Sequence, residues 1–141
     1  MSNQDEKRSV VVERVFPHPR EKVWRALTES PLLAQWLMKN DFEPKVGRKF
    51  QFRAEPVPGW SGLVDCEVKV IDPLKELLYS WETMGHMSTV LWTLTPTERG
   101  THLRKEHGSF GPDQEAAYKG ATYGWRSFLG QLEKLLEGDE L

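Results

Sequence analysis

The apolar residues of this chain change their spacing once, and that change limits the fold more than any other feature. From about residue 48 to residue 109 they recur at every second position, the period that sends alternate side chains to opposite faces of a strand. Further on they return at helical spacing, through Tyr118, Ala121, Trp125, Phe128, Leu129, Leu132, Leu135 and Leu136. Strands joined by short turns make an antiparallel meander with one dry face, and that face has to be covered. The terminal helix is the available cover. The expectation is an α+β domain in which a curved antiparallel sheet of six to seven strands closes around one long C-terminal helix.

Residues 9–16 are β-branched and apolar and end at Pro17, which makes them the first strand. Pro19 then suits the first position of a helix with Val23, Trp24 and Leu27 on one face. Ser30 before Pro31 is a second helix-start signal, followed by Leu32, Leu33, Trp36 and Leu37. Two short helices therefore interrupt the sheet after its first strand. Phe50, Phe52 and Ala54 share a face, and Val64, Cys66, Val68 and Val70 lie opposite Asp65, Glu67 and Lys69. A turn at 72–75 leads to Leu77, Tyr79 and Trp81, a loop falls at Met84-Gly85-His86, and Val90, Trp92 and Leu94 form the next dry face. The last strand runs from Thr101 to Ser109, and Pro112 with Asp113 opens the helix. A chain of 141 residues suits one domain, 1–141, with 1–8 and 137–141 as loose ends.

Charge and cysteine content exclude several functions. A net charge of -2 with interspersed signs offers no basic stripe, so nucleic acid is not an expected partner. No apolar stretch near the polar start suits a signal peptide or a membrane span, which predicts a cytoplasmic protein with no membrane partner. Cys66 is the only cysteine, and His18, His86, His102 and His107 are scattered, so no disulfide and no metal site are expected. There is no Gly-rich phosphate loop and no G-x-S-x-G, and Asp65 and Glu67 fall on the wet face. No complete catalytic set and no cofactor are expected.

Aromatic residues make up 11% of the chain, and wide rings either fill a core or line a pocket. If the dry faces enclose a cavity, its wall is Phe50, Phe52, Cys66, Val68, Tyr79, Trp81, Val90 and Trp92 from the earlier strands. Leu103, Lys105 and His107 would join from the last strand, and Tyr118, Ala121, Trp125 and Phe128 from the helix. An inward Lys105 would hold a ligand carboxylate or phenolate; a one-residue bulge would turn it out instead. His107 would orient a ligand hydroxyl or act as a general base, or else be spent on hydrogen bonds within the protein. Tyr79 needs a partner for its phenol in either case. Gly120, Gly124 and Gly130 each cost about 1 kcal/mol relative to Ala in a helix, which implies close packing or reserved space. The proline- and glycine-rich loop 56–62 carries Trp60 as a lid, as an anchor for a protein partner, or as a ring folded back on the surface.

Several short signatures occur in a fixed order: Val23-Trp24-Arg25-Ala26-Leu27-Thr28, Trp36-Leu37, Phe50-Gln51-Phe52, Ile71-Asp72-Pro73, Leu77-Leu78-Tyr79-Ser80-Trp81, Gly100-Thr101-His102-Leu103 and Gly124-Trp125. Together they span roughly residues 9–136, and the chain resembles the START-like (SRPBCC, Bet v-like) superfamily, in its heat-shock protein 90 ATPase activator-like branch. The resemblance implies a helix-grip fold and marks Lys105 as standing where the family usually has an apolar residue. It also implies a choice of functions, because lipid and hormone carriers, aromatase/cyclase enzymes and co-chaperone domains share the scaffold. The family's co-chaperones carry a further N-terminal domain, for which this sequence leaves no room. The expected function is therefore binding of an apolar, lipid-like or aromatic small molecule. A stress-response or co-chaperone-type interaction protein acting through Trp60 ranks second, and a cyclase-type enzyme relying on His107 third.

Overall fold

A computed structural model describes residues 8–138. Strand β1 (Arg8–Phe16) is followed by helices α1 (Arg20–Thr28) and α2 (Ser30–Trp36). Strands β2 (Lys39–Asn40), β3 (Lys49–Arg53), β4 (Leu63–Asp72), β5 (Glu76–Thr83), β6 (His86–Pro96) and β7 (Thr101–Phe110) come next, and α3 (Glu115–Glu137) closes the chain. The seven strands form one antiparallel sheet in the order β1-β7-β6-β5-β4-β3-β2. Every neighbour after the β1–β7 closure is a sequence neighbour, so the meander inferred from the period-two pattern is the sheet itself. Helix α3 lies against β1, β7, α1 and α2 and covers the dry face. This is the α+β helix-grip architecture with two short helices after the first strand.

The elements are pinned by specific bonds. The Trp36 indole donates to the Ala26 carbonyl at 2.8 Å and fixes α2 on α1. The Lys22 ammonium donates to the carbonyl of Leu136 and ties the end of α3 to α1. An edge-on series of rings, Trp36 to Trp92 at 5.8 Å and Trp92 to Trp125 at 5.6 Å, runs from α2 through the sheet to α3.

Four local expectations change. A bulge between Val68 and Val70 breaks the alternation of β4, so Val70 faces out with 37% exposure while Val68 is fully buried. Ser30 does not cap α2: its hydroxyl donates to the Asn40 carbonyl at 3.0 Å, and Asn40 Nδ2 returns a bond to the Ser30 carbonyl. That reciprocal pair holds the two-residue β2, which is too short to show in a hydrophobic pattern. Helix α3 begins at Glu115 rather than at Pro112, because Gln114 folds its side chain back onto the preceding turn. His86 belongs to a strand, not to a loop. Only Met84 and Gly85 form the turn, both with positive φ (53° and 79°), and His86 pairs with Thr83. The termini read as loose, 1–8 and 137–141, fall largely outside the described residues; of them Arg8 opens β1 and Glu137 ends α3.

Candidate functional site

Between the sheet and the first half of α3 lies a part-enclosed cavity of about 750 Å³. Its floor is Val64, Trp81, Ser88, His107 and Phe110 on the strands, and its roof is Ala116, Ala117, Gly120, Ala121, Gly124, Trp125 and Phe128 on α3. The 56–62 loop supplies Gly59 and Trp60, the β5–β6 turn supplies Met84, and His86 enters from the start of β6. Two helix glycines stand on its roof. A Cβ at Gly120 would meet nothing within 4 Å, and one at Gly124 would meet only the Phe128 ring at 3.9 Å. These glycines mark open space, and close helix-to-sheet packing does not explain them.

Trp60 is held at the rim. Val57 and Trp60 exchange backbone hydrogen bonds of 3.0 Å across Pro58-Gly59, with Gly59 at φ 87°. Gly62 is required where the loop rejoins the sheet, since its φ is 82° and a Cβ would sit 2.3 Å from the Ala54 carbonyl oxygen. So placed, the Trp60 indole donates to Thr83 Oγ1 at 2.8 Å, and Thr83 donates onward to the Leu63 carbonyl at 2.7 Å. The ring turns inward to border the cavity.

Of the residues expected at a binding wall, Trp81, His107, Ala121, Trp125 and Phe128 do border this space. Phe50, Phe52, Cys66, Val68, Tyr79, Val90, Trp92, Leu103 and Lys105 are buried but do not border it; they form the packed core beside it. Tyr118 turns to the β1 side, where it packs edge-on to Phe110 and under the Arg8 guanidinium. The dry face is thus divided between core and cavity.

His107 is fully hydrogen-bonded. The Trp125 indole N–H donates to its Nδ1 at 2.9 Å, so Nε2 carries the ring proton and donates to Ser88 Oγ at 2.8 Å. Ser88 in turn donates to the Trp81 carbonyl at 3.1 Å. Burial, and then the nearness of Lys105 and His86, lower the imidazole's pKa to about 3. A neutral ring whose one lone pair already accepts a bond has no capacity to take a substrate proton, so the general-base role falls away.

Lys105 points inward, with none of its surface exposed, and no bulge turns it out. Its Nζ lies 4.1 Å from the centre of the Trp125 ring and has no hydrogen-bond partner among the described residues. Burial lowers its pKa to about 6. A cation over an indole gains about 2 kcal/mol when desolvated. A drop from 10.5 to about 6 corresponds to roughly 6 kcal/mol at 1.36 kcal/mol per pH unit, so burial wins. The amine is mostly neutral near pH 7. Trp125 borders the cavity and Lys105 does not, so the indole screens the amine from that space.

Tyr79 accepts from the Trp92 indole at 3.0 Å, and burial pushes its phenol pKa up. Burial likewise pushes the Cys66 thiol up, which removes it as a nucleophile. No group of metal-ligating side chains occurs among the described residues. No helix among them is long and apolar enough to cross a membrane.

His86 and Ser88 were not foreseen as cavity residues. Counting back by two from Trp92 and Val90 reaches both, and the signal was hidden by assigning His86 to the turn.

The fold has counterparts among known proteins. Protein MLL2253 from Mesorhizobium loti is similar over 95% of this chain and 100% of its own, with 48% identity and a TM-score of 0.88. Bacillus halodurans protein BH1534 is similar at 25% identity and a TM-score of 0.78, over 92% of this chain and 97% of its own. DynU16, described as a putative protein in the dynemicin biosynthetic locus, aligns at 27% identity and a TM-score of 0.79 over 92% of this chain and 47% of its own. A comparison with curated proteins finds no match. A family model described as Activator of Hsp90 ATPase homolog 1-like protein matches residues 17–137, and with that match the chain belongs to this family within the START-like superfamily.

Proposed function

We propose that this protein is a small-molecule binding module that encloses an apolar, ring-bearing or lipid-like ligand between the sheet and the first half of α3. One observation carries the reading. An amphipathic helix that could close on the sheet instead presents Ala116, Ala117, Gly120, Ala121 and Gly124 to a 750 Å³ space walled by Trp60, Trp81, Trp125 and Phe128. Pockets of a few hundred cubic ångströms with apolar, aromatic walls are the usual form of such sites. The lone, buried Cys66 suits work in the reducing cytoplasm. The bound His107 and the screened Lys105 favour holding a ligand over transforming it.

The experiment is a two-dimensional NMR titration with fatty acids, flavonoid-like aromatics and sterols, repeated on Gly120→Phe, which places a ring in the open space. A binder shows shifts concentrated on the indole N–H signals of Trp60, Trp81 and Trp125, and loses them in the variant. It also gains about 2.7 kcal/mol of stability at ligand a hundredfold above Kd. No shift with any class at millimolar ligand defeats the reading and leaves a protein-interaction role, with Trp60 and its loop as the surface to examine.

A further inference from the structure

Trp60 is the one ring of the cavity wall carried by a loop, and very little fastens that loop. Trp81, Phe110, Trp125 and Phe128 stand on β5, β7 and α3. The base of the loop is closed by Ala54 N–H donating to the Gly62 carbonyl at 2.8 Å, and its tip by the paired bonds of Val57 and Trp60. Leu63 N–H donates to the Ser61 hydroxyl at 3.3 Å where the loop runs into β4. All of these are bonds of the loop to itself or to its own ends. Among the described residues, one hydrogen bond ties 55–61 to a separate element: the Trp60 indole on Thr83 Oγ1 at 2.8 Å. The outer side of the tip is open, with Val57 54% exposed.

Thr83 is fixed before any ligand arrives. Its hydroxyl carries a single proton, which goes to the Leu63 carbonyl at 2.7 Å, so toward Trp60 the oxygen can only accept. Its β-branched side chain has few χ1 choices, and its pairing with His86 holds the backbone beside a two-residue turn. A ring on a loop adds to affinity only as far as it is already in place, because ordering a large side chain at binding offsets part of the contact energy. We infer that Thr83 is the positioning residue of the ligand site: its hydroxyl presets the Trp60 indole as the outer wall, and a ring-bearing ligand seats itself at this mouth, between Trp60 and the first half of α3. The inference rests on the binding role proposed above and adds to it a determinant of affinity that acts through another residue.

The probe is 2-methoxynaphthalene, a neutral two-ring molecule, with affinity read by NMR for the native protein, Thr83→Val, Thr83→Ser, Trp60→Phe and the double variant Thr83→Val with Trp60→Phe. Valine keeps the shape of threonine and removes the acceptor, whereas serine keeps the acceptor. Thr83→Val should weaken binding about three- to tenfold, the cost of ordering one large side chain. Thr83→Ser should stay within about twofold of the native protein. Trp60→Phe keeps a ring without its donor and should also weaken binding. The double variant should be no weaker than the weaker single one, within about twofold, because both changes remove the same bond. In Thr83→Val the Trp60 indole N–H should exchange with solvent at least about tenfold faster, while the indoles of Trp36 and Trp92, bonded within the core, keep their rates and report an intact fold. In the unaltered protein the probe should shift the Trp60 indole signal and slow its exchange.

Equal affinity in the native protein and Thr83→Val, a Thr83→Ser as weak as Thr83→Val, or losses that multiply in the double variant overturns Thr83 as positioning residue while binding itself keeps the cavity. A Trp60 signal left unmoved while those of Trp81 and Trp125 shift does the same. Failure of the probe to move any of the three signals overturns the cavity reading, and the positioning role with it.

Discussion

The two halves of α3 face the same sheet and do opposite things. From Leu129 through Leu132 to Leu136 the helix buries branched side chains against β1, α1 and α2. From Ala116 to Gly124 it presents almost nothing, and the sheet beneath stays uncovered. Trp125 is the boundary, with its indole N–H on His107 in the open half and its ring face over Lys105 in the closed half. The comparison shows how one amphipathic helix serves as both a core element and a cavity roof. The apolar stripe continues along the whole helix, and only the size of its residues changes. Stability is concentrated where side chains interdigitate, and the open space lies where they are withheld.

The sharpest way to break this division is to remove its boundary. Trp125→Ala deletes a buried indole and leaves His107 Nδ1 without its donor. The expected loss is about 3–5 kcal/mol for the large-to-small change, with more from the unpaired nitrogen. Denaturant unfolding measures it, and a loss below about 1 kcal/mol would mean that the two halves do not meet at this ring.

Lys105→Met tests the closed half alone, and its sign is opposite. The amine titrates near 6 in the folded protein and near 10.5 when unfolded, so between these values the unfolded chain binds more protons. Stability therefore rises with pH from about 6 to 10.5, by at most roughly 1.4 kcal/mol per unit from this group. Below about 6 the folded protein carries a buried charge and the whole penalty. Met fills similar volume with no charge, so the variant should be more stable by about 1–4 kcal/mol at pH 7 and lose this pH slope. Urea midpoints at pH 6, 8 and 10 measure it; a parallel pH dependence in both proteins would show that Lys105 reaches solvent.

His107 extends the same trend to acid. Its folded pKa of about 3 lies below the usual 6.5, so the unfolded state takes the proton first and stability falls as pH drops through 6.5 toward 3. Ligand contacts near Trp125 should leave that slope in place, because His107 is bonded within the protein. In His107→Gln the slope between pH 6 and 4 should shrink by about 1 kcal/mol per unit, read from acid unfolding midpoints.

How far the sequence discloses this division depends on what decides each part. Strand order and the covering helix follow from the period of apolar residues and the short turns, and both are local signals. The inward face of Lys105 is only half legible: the period of β7 allows it, a bulge would reverse it, and the structure shows no bulge across the centre of that strand. The boundary between core and cavity does not follow. Tyr79 and Trp81 have the same phase on one strand, yet Tyr79 is packed among Phe42, Phe50 and Phe52 while Trp81 borders open space. What separates them is what lies above, Phe42 over Tyr79 and the open half of α3 over Trp81, a tertiary fact that no strand pattern contains. His86 was hidden for a simpler reason: a type I′ turn of two residues leaves no loop for it to occupy.

The smallest predicted effect is the most diagnostic. Gly120→Ala should stabilise the protein, because alanine is about 1 kcal/mol better than glycine inside a helix and the added methyl meets no atom within 4 Å. Gly124→Ala should gain slightly less, its methyl touching Phe128 at 3.9 Å. Gly120 stands over space, so glycine there forgoes stability that one methyl would supply. A thermal midpoint raised by about 2–4 °C in Gly120→Ala, together with weaker binding of ring-bearing probes, would join the two halves of the argument. A lower midpoint would mean that α3 closes on the sheet in solution and that the roof is not held open by its small residues.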